Sequence, residues 1–379
     1  MVVRGVGACA VDGVTPARVL RPTSAQRLAE ALAESAAAGR TVIPIGGGRA
    51  LAMGDPPSAY DLALETSGLD RVLESRPDDM TVTVEAGISL DALQGTLATH
   101  GQFLPLDPFN SPGHTIGGLL ATGWSGPLRL RYGPARDHVL GLRVALPNGR
   151  LVRSGGSVVK NVSGYDLNKL HLGALGSMGV IVEATLRVFP RPQREATVTF
   201  TAGSMEAAFA AAREAMAQSA PPMALELLSP AAGGWRLFAR LGGTPRSVDR
   251  ARSDLGWEDG DPDFWESHSR VSGPAWARIS VPRASVAAVA RLLPENATWF
   301  AEPGVGMIHW LDAPDAASVT AVRAAAVAAG GSLVLLSARL DLKAAAGAWG
   351  PPPASLDLMR RLRDAFDPDR TISRGRYVA

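Results

Sequence analysis

One cysteine in 379 residues removes two kinds of chemistry at once. Cys9 has no partner for an internal disulfide, and an iron–sulfur cluster needs about four thiolates, so any such cluster must sit on another chain. Metal-ligand spacing is missing too. The six histidines, His100, His114, His138, His171, His268 and His309, include no pair at zincin or zinc-finger spacing, and no metal site is expected. Charge is nearly balanced, with 38 Lys and Arg against 36 Asp and Glu, and the basic residues are spread evenly. That pattern excludes the electrostatic footprint of a nucleic-acid binder. The longest uncharged apolar stretch, residues 324–338, is shorter than a bilayer span and is broken by Gly330 and Gly331, so no transmembrane segment is expected. Residues 1–12 contain one arginine and no apolar core of signal-peptide length, which points to the cytoplasm.

Hydrophobic residues, in contrast, make up 46% of the chain, enough for sizeable cores, and the length favours two domains. Thr23 and Gln26 have capping-box spacing and open a helix with Leu28, Ala31 and Leu32 on one face, ended by Gly39. Residues 41–45 read as a buried strand running into Gly46, Gly47 and Gly48, which let backbone N–H groups approach a ligand closely. A strand at 81–86 leads to Ser89, the N-cap of a helix carrying Leu90, Leu93 and Leu97. Thr115, Ile116, Gly117 and Gly118 open a short apolar helix, placing free N–H groups where a second anionic group could bind. Two such sites suit a dinucleotide. Neither has the GxGxxG spacing of a Rossmann domain, and no GxxxxGK[ST] is present, so NAD and nucleoside triphosphates are disfavoured.

Residues 139–154 form a hairpin around Pro147, Asn148 and Gly149, and 180–188 form a further strand. Pro190 and Pro192 then mark a domain boundary. Beyond it, strands at 196–200, 223–228, 235–241, 275–281, 306–311 and 333–336 alternate with helices at 204–218, 247–255, 284–293 and 316–329, which fits a ferredoxin-like sandwich. A last helix at 355–366 carries Leu356, Met359, Leu362 and Phe366 at helical spacing, and its tail is expected to return to the first domain.

Four segments in order carry a family resemblance: PIGGGRAL (44–51), VEAGISLDALQGTLATHGQFLPLDP (84–108), TIGGLLATGWSGPLRLRYGPARDHVLG (115–141) and GGSVVKNVSGYDLNKLHLGALGSMGVI (155–181). The chain resembles the FAD-binding proteins of the p-cresol methylhydroxylase and vanillyl-alcohol oxidase superfamily, and within it the E subunits of bacterial glycolate oxidases. The implied fold is α+β: a two-subdomain FAD-binding domain over 1–192, then a smaller ferredoxin-like α+β domain over 193–379. The resemblance implies FAD contacts from Ile45, Gly46, Gly47, Gly48, Arg49, Ala50, Asp107, His114, Thr115, Ile116, Gly117, Gly118, Gly123, Ser125, Gly126 and Ile181. Lys160, Asn161, Tyr165 and Asp166 match the KNVAGYD signature, with Ser163 in place of alanine, and are assigned a shaping role. Arg49 and Ala50 stand where relatives attach flavin covalently through histidine or cysteine, so the FAD is expected to be non-covalent; His114 reads as a hydrogen-bonded residue at a helix start. In the tail, FDPDRTISRGRY (366–377), Ser373 and Arg374 replace the family's Asn and Pro, which puts its flavin contact in doubt.

The implied function is an FAD subunit that accepts or relays electrons from glycolate or a similar 2-hydroxy acid. The implied partners are a homologous flavoprotein subunit bearing the substrate site and an iron–sulfur subunit, with any inner-membrane attachment peripheral and through them. The histidine- and acid-rich metal motif of self-sufficient relatives is missing, and His309 reads as an isolated, structural histidine. A stand-alone FAD-dependent alcohol or hydroxy-acid oxidoreductase and a non-catalytic assembly subunit remain alternatives. Intact glycines in both loops argue against the second, since alanine would be tolerated if no diphosphate approached.

Overall fold

A computed structural model describes residues 4–110, 112–156, 165–230 and 234–378. Its first sheet is parallel and small, with β1 (Arg18–Leu20), β2 (Val42–Ile45) and β3 (Leu62–Glu65) in the order β1-β3-β2. All four residues of β3 are buried, as a central parallel strand requires, and this absence of alternation is why sequence reading misses it. The helix Ala25–Ala37 starts one residue later than predicted: Ser24, not Thr23, accepts from the Arg27 N–H, while Gln26 turns forward to Glu30 instead of back to the cap.

A five-stranded antiparallel sheet follows, built from β4 (Val72–Arg76), β5 (Thr81–Glu85), β7 (Val139–Ala145), β8 (Leu151–Gly155) and β9 (Val180–Arg187) in the order β4-β5-β9-β7-β8. Two short strands, β6 (Gln102–Phe103) and β10 (Phe189–Pro190), pair with each other beside it. The turn between β7 and β8 uses Gly149 at φ +79°, as its Asn–Gly sequence demands.

The remaining strands make one eight-stranded sheet: β11 (Arg194–Ala202), β12 (Ala224–Leu228), β13 (Trp235–Gly243), β14 (Glu258–Asp259), β15 (Trp276–Ser280), β16 (Trp299–Glu302), β17 (Met307–Trp310) and β18 (Ser332–Ser337). The order β14-β11-β13-β12-β16-β17-β15-β18 contains the ferredoxin-like βαββαβ pattern twice, joined where β12 pairs β16. Helices Met205–Met216, Pro245–Leu255, Val286–Ala290 and Ala316–Ala328 supply the crossovers. Strand alternation gives this sheet two unlike faces. Leu227, Ala301, Ile308 and Ala277 belong to the core under the helices. Their strand neighbours Phe300 and Trp276 join Phe109 and Trp124 of the first half in another core.

After the helix Leu356–Phe366, the Asp367 carboxylate accepts from the N–H groups of Thr371 and Ile372 and turns the chain back. Val42 N–H donates to Thr371 O and Ser373 N–H to Val42 O, so the tail extends the edge of the parallel sheet.

Candidate functional site

The loop after β2 and the start of the helix Ile116–Thr122 face each other across a cleft with a volume of about 100 Å³. Its lining includes Ile45, Gly46, Gly47, Gly48, Arg49, Ala50, His114, Thr115, Gly117, Gly118 and Ile181, together with Ser373 and Arg376 from the tail. The structure therefore brings together eleven of the sixteen positions singled out from the sequence. Ile116 is instead core, and Gly123 closes the helix at φ +63°. Ser125 Oγ accepts from the Ala135 N–H. Asp107 accepts from the Leu128 N–H, and Gly126 lies so close that an added Cβ would fall 1.8 Å from Asp107 O.

The loops are held by a small set of contacts. Thr115 Oγ1 accepts from both Gly47 N–H and Gly118 N–H at 3.3 Å. Arg4, which carries no sequence signal because it lies 42 residues away, donates to Gly46 O and Gly47 O at 3.0 Å and pairs with Glu65 at 3.4 Å. The N–H groups of Gly48, Arg49 and Ala50 have no acceptor among the described residues. The expected free donors at the second loop are not found. Ile116 N–H donates to Ile88 O and Gly117 N–H to Ala86 O, because this segment zips onto residues 86–88. The donors of the cleft without a partner among the described residues thus come from the first loop and the tail.

Glycine has a different reason here from the one read in the sequence. A Cβ on Gly46 would lie 2.2 Å from Thr115 Oγ1, one on Gly47 1.8 Å from Gly113 O, and one on Gly117 2.8 Å from the Ala86 Cβ. These glycines are required by loop-on-loop packing, so their presence does not by itself report a bound diphosphate.

His114 Nε2 donates to Phe109 O at 2.9 Å, and burial holds its pKa below the usual histidine range, keeping the ring neutral. The tail docks despite its altered letters. Ser373 Oγ donates to Leu175 O, the Arg374 guanidinium folds onto Asp369 O and Arg370 O, and Arg376 donates to Leu51 O and Met53 O. Arg376 Nη1 is buried with no partner among the described residues. Lys160 and Asn161 lie outside the described residues, while Tyr165 is exposed and Asp166 pairs with Lys169 at 3.2 Å.

A second group of polar residues lies buried on the face of the eight-stranded sheet that packs against the first half. His309 is not isolated, contrary to the sequence reading: Trp276 Nε1 donates to its Nδ1 and its Nε2 donates to Glu302 Oε1, both at 3.0 Å. Glu302 escaped notice because β16 did, its four residues being buried on both faces. Asp107 lies nearby in the junction, where burial raises its pKa to about 8. A folded-state pKa above the unfolded value means that stability from this group is present in acid and lost as pH rises. The Tm of Asp107→Asn relative to wild type should therefore climb by several degrees between about pH 5 and pH 8, as followed by thermal unfolding. A difference flat with pH would show that Asp107 is not held protonated.

Comparison with known proteins gives a consistent picture. The FAD binding domain family matches residues 16–155. The chain is 31% identical over 318 residues to glycolate oxidase subunit GlcE of Escherichia coli (strain K12), covering 80% of this chain and 83% of that protein. It is 32% identical over 214 residues to glycolate oxidase subunit GlcD of Bacillus subtilis (strain 168), covering 56% of this chain and 45% of that one. D-lactate dehydrogenase of Archaeoglobus fulgidus is 32% identical over 210 residues, 47% of its length, so the chain spans about half of these latter two relatives. Among solved structures, an alkyldihydroxyacetonephosphate synthase superposes with a TM-score of 0.68 over 95% of this chain and 77% of its own, at 16% identity, a likeness of fold alone.

Proposed function

Because this chain belongs to the family of FAD-linked oxidoreductases that includes glycolate oxidase subunit GlcE, we propose that it is the FAD-binding subunit of a 2-hydroxy-acid oxidase or dehydrogenase complex. The observation that carries the reading is the match to GlcE over four-fifths of both chains, and the cleft supports it with donors suited to a dinucleotide. Free N–H groups of Gly48, Arg49 and Ala50, with the unpartnered Nη1 of Arg376, are the groups that would hold the FAD diphosphate. Gly48 takes φ +76°, a conformation that presents backbone N–H groups at little steric cost. FAD, when bound, supplies the electron acceptance that no side chain here offers. The chain's part is to bind it, orient it and exclude water.

Attachment is non-covalent in this reading. The first loop has no histidine or cysteine, and His114 engages Nε2 in a hydrogen bond to Phe109 O. The proposed partners are a homologous FAD-binding subunit and an iron–sulfur subunit, since a single buried cysteine cannot hold a cluster. No helix among the described residues is long and apolar enough to cross a membrane; the proposed location is the cytoplasm, with contact to the inner membrane only through partners. A self-sufficient enzyme is the second reading, favoured by the buried His309–Glu302 pair on the sheet face that packs against the first half.

Arg376→Gln tests the cofactor assignment. Loss of one charge-assisted contact should weaken FAD binding roughly tenfold, as measured by quenching of flavin fluorescence on titration. Unchanged affinity in a folded variant would remove Arg376 from the site.

A further inference from the structure

A parallel sheet has two faces to bury, and in the small sheet β1-β3-β2 a helix covers only one of them. Val42, Leu62 and Leu64 pack with Leu28 and Leu32 of the helix Ala25–Ala37. The alternate residues Ile43, Ile45 and Ala63 form a separate, small core with Tyr60 and with Cys9 and Val11 of the amino-terminal arm, residues 4–14. Cys9 and Val11 are fully buried, although Gly5, Val6, Gly7 and Ala8 before them are exposed. Tyr60 Oη donates to Cys9 O at 3.0 Å, and Lys343 Nζ holds Asp12. A segment attached through so small a core opens locally at far lower cost than the whole chain unfolds.

Arg4 ends this arm at the cofactor cleft. Its Nη1 donates to Gly46 O and its Nη2 to Gly47 O, both at 3.0 Å, and Glu65, buried at the end of β3, pairs with its Nε at 3.4 Å and accepts from its backbone N–H at 3.4 Å. The two carbonyls share peptide planes with the N–H groups of Gly47 and Gly48. In a trans peptide the C=O and N–H bonds point in opposite directions, so a guanidinium on the arm side of both planes turns both N–H groups away from the arm. Gly47 N–H meets Thr115 Oγ1, while Gly48 N–H has no acceptor among the described residues and Gly48 lines the cleft. Arg4 therefore fixes the direction of a donor that it does not touch. Once it is withdrawn, Gly46 O and Gly47 O lose their charged donor, and the conformational freedom of glycine lets either plane rotate a carbonyl oxygen into the cleft, where it repels an anion.

We propose that the amino-terminal arm is a latch on the cofactor loop: when docked, Arg4 holds the loop in its anion-binding form, and a bound FAD diphosphate in turn holds the arm down. Arg4 is a positioning residue that acts through the peptide between Gly47 and Gly48. The latch rests on the cofactor reading above. Its coupling is reciprocal: whatever factor arm docking adds to FAD affinity, FAD adds to arm docking. Cys9, the only cysteine of the chain, is plugged into the core beneath the arm and becomes accessible when the arm lifts, so its thiol reports each opening.

Labelling of Cys9 by N-ethylmaleimide under native conditions, followed by mass spectrometry of the full chain with and without saturating FAD, tests this. FAD should slow labelling by about tenfold or more. Arg4→Met should weaken FAD binding by about tenfold, speed labelling of the FAD-free chain and shrink the protection that FAD gives. Arg4→Lys keeps the charge but cannot span two carbonyls as a fork does, and should fall between. Arg291→Gln, at an exposed ion pair in the second half, should change none of these. An Arg4 with a merely structural role would speed labelling equally with and without FAD and leave the protection unchanged. That result, labelling of the wild-type chain that is indifferent to FAD, or full FAD affinity in a folded Arg4→Met chain overturns the proposal. Flavin fluorescence titration of the same preparations separates the two readings: FAD uptake with unaltered labelling defeats only the latch, whereas a chain that takes up no FAD defeats the cofactor reading and the coupling with it.

Discussion

Gly47→Ala should abolish FAD binding and lower stability by about 3 kcal/mol or more, whereas Gly95→Ala should leave FAD binding intact. The added methyl at position 47 would fall 1.8 Å from Gly113 O, a backbone atom fixed by the segment that zips onto residues 86–88. Neither loop can yield without breaking the contacts of Thr115 and Arg4 that close the cleft. Gly95 sits in the helix Leu90–Ala98, is exposed, and has nothing within 4 Å of its would-be Cβ, so alanine there should stabilise by roughly 0.5–1 kcal/mol. Urea unfolding and flavin titration of the two variants separate a steric requirement from a general effect of losing glycine. If Gly47→Ala bound FAD normally, the packing account of the loops would be wrong.

Lys343→Met should cost about 3–5 kcal/mol, the usual penalty for leaving half of a buried ion pair behind. Lys343 Nζ is fully enclosed and donates to both oxygens of Asp12, at 2.9 and 2.8 Å, and to Ala52 O and Gly54 O at 2.6 and 3.0 Å. It ties the amino-terminal segment and the loop after the glycine triplet to the helix Leu340–Ala346 of the second half. The double change Asp12→Asn with Lys343→Met should recover part of the loss, because no bare carboxylate then remains. Denaturation midpoints for the four chains give the coupling directly, and strict additivity would show that the two groups act independently.

These contacts also show where sequence reasoning reaches its limit. Alternating or capped elements were legible: Ser89 caps its helix as read, and Ser204 caps the helix Met205–Met216. Strands buried on both faces, β3 and β16, were not, because a run such as Trp299–Glu302 has no period to detect. Missing β16 hid Glu302, and with it the reason that His309 matters. The glycine loops were correctly singled out as places of close approach, but the approaching groups at Gly46, Gly47 and Gly117 are the protein's own Thr115, Gly113 and Ala86. Arg4 and Lys343 were invisible for another reason. Their partners lie far along the chain, and only the fold brings them together.

The most direct test of the central claim is an absorbance spectrum of the purified chain, taken before and after acid precipitation and after addition of FAD. The account predicts a flavin band, either as purified or on reconstitution, that moves entirely into the supernatant on precipitation. A chain that stays colourless and takes up no added FAD would contradict the cofactor assignment, and yellow colour retained in the pellet would contradict non-covalent attachment.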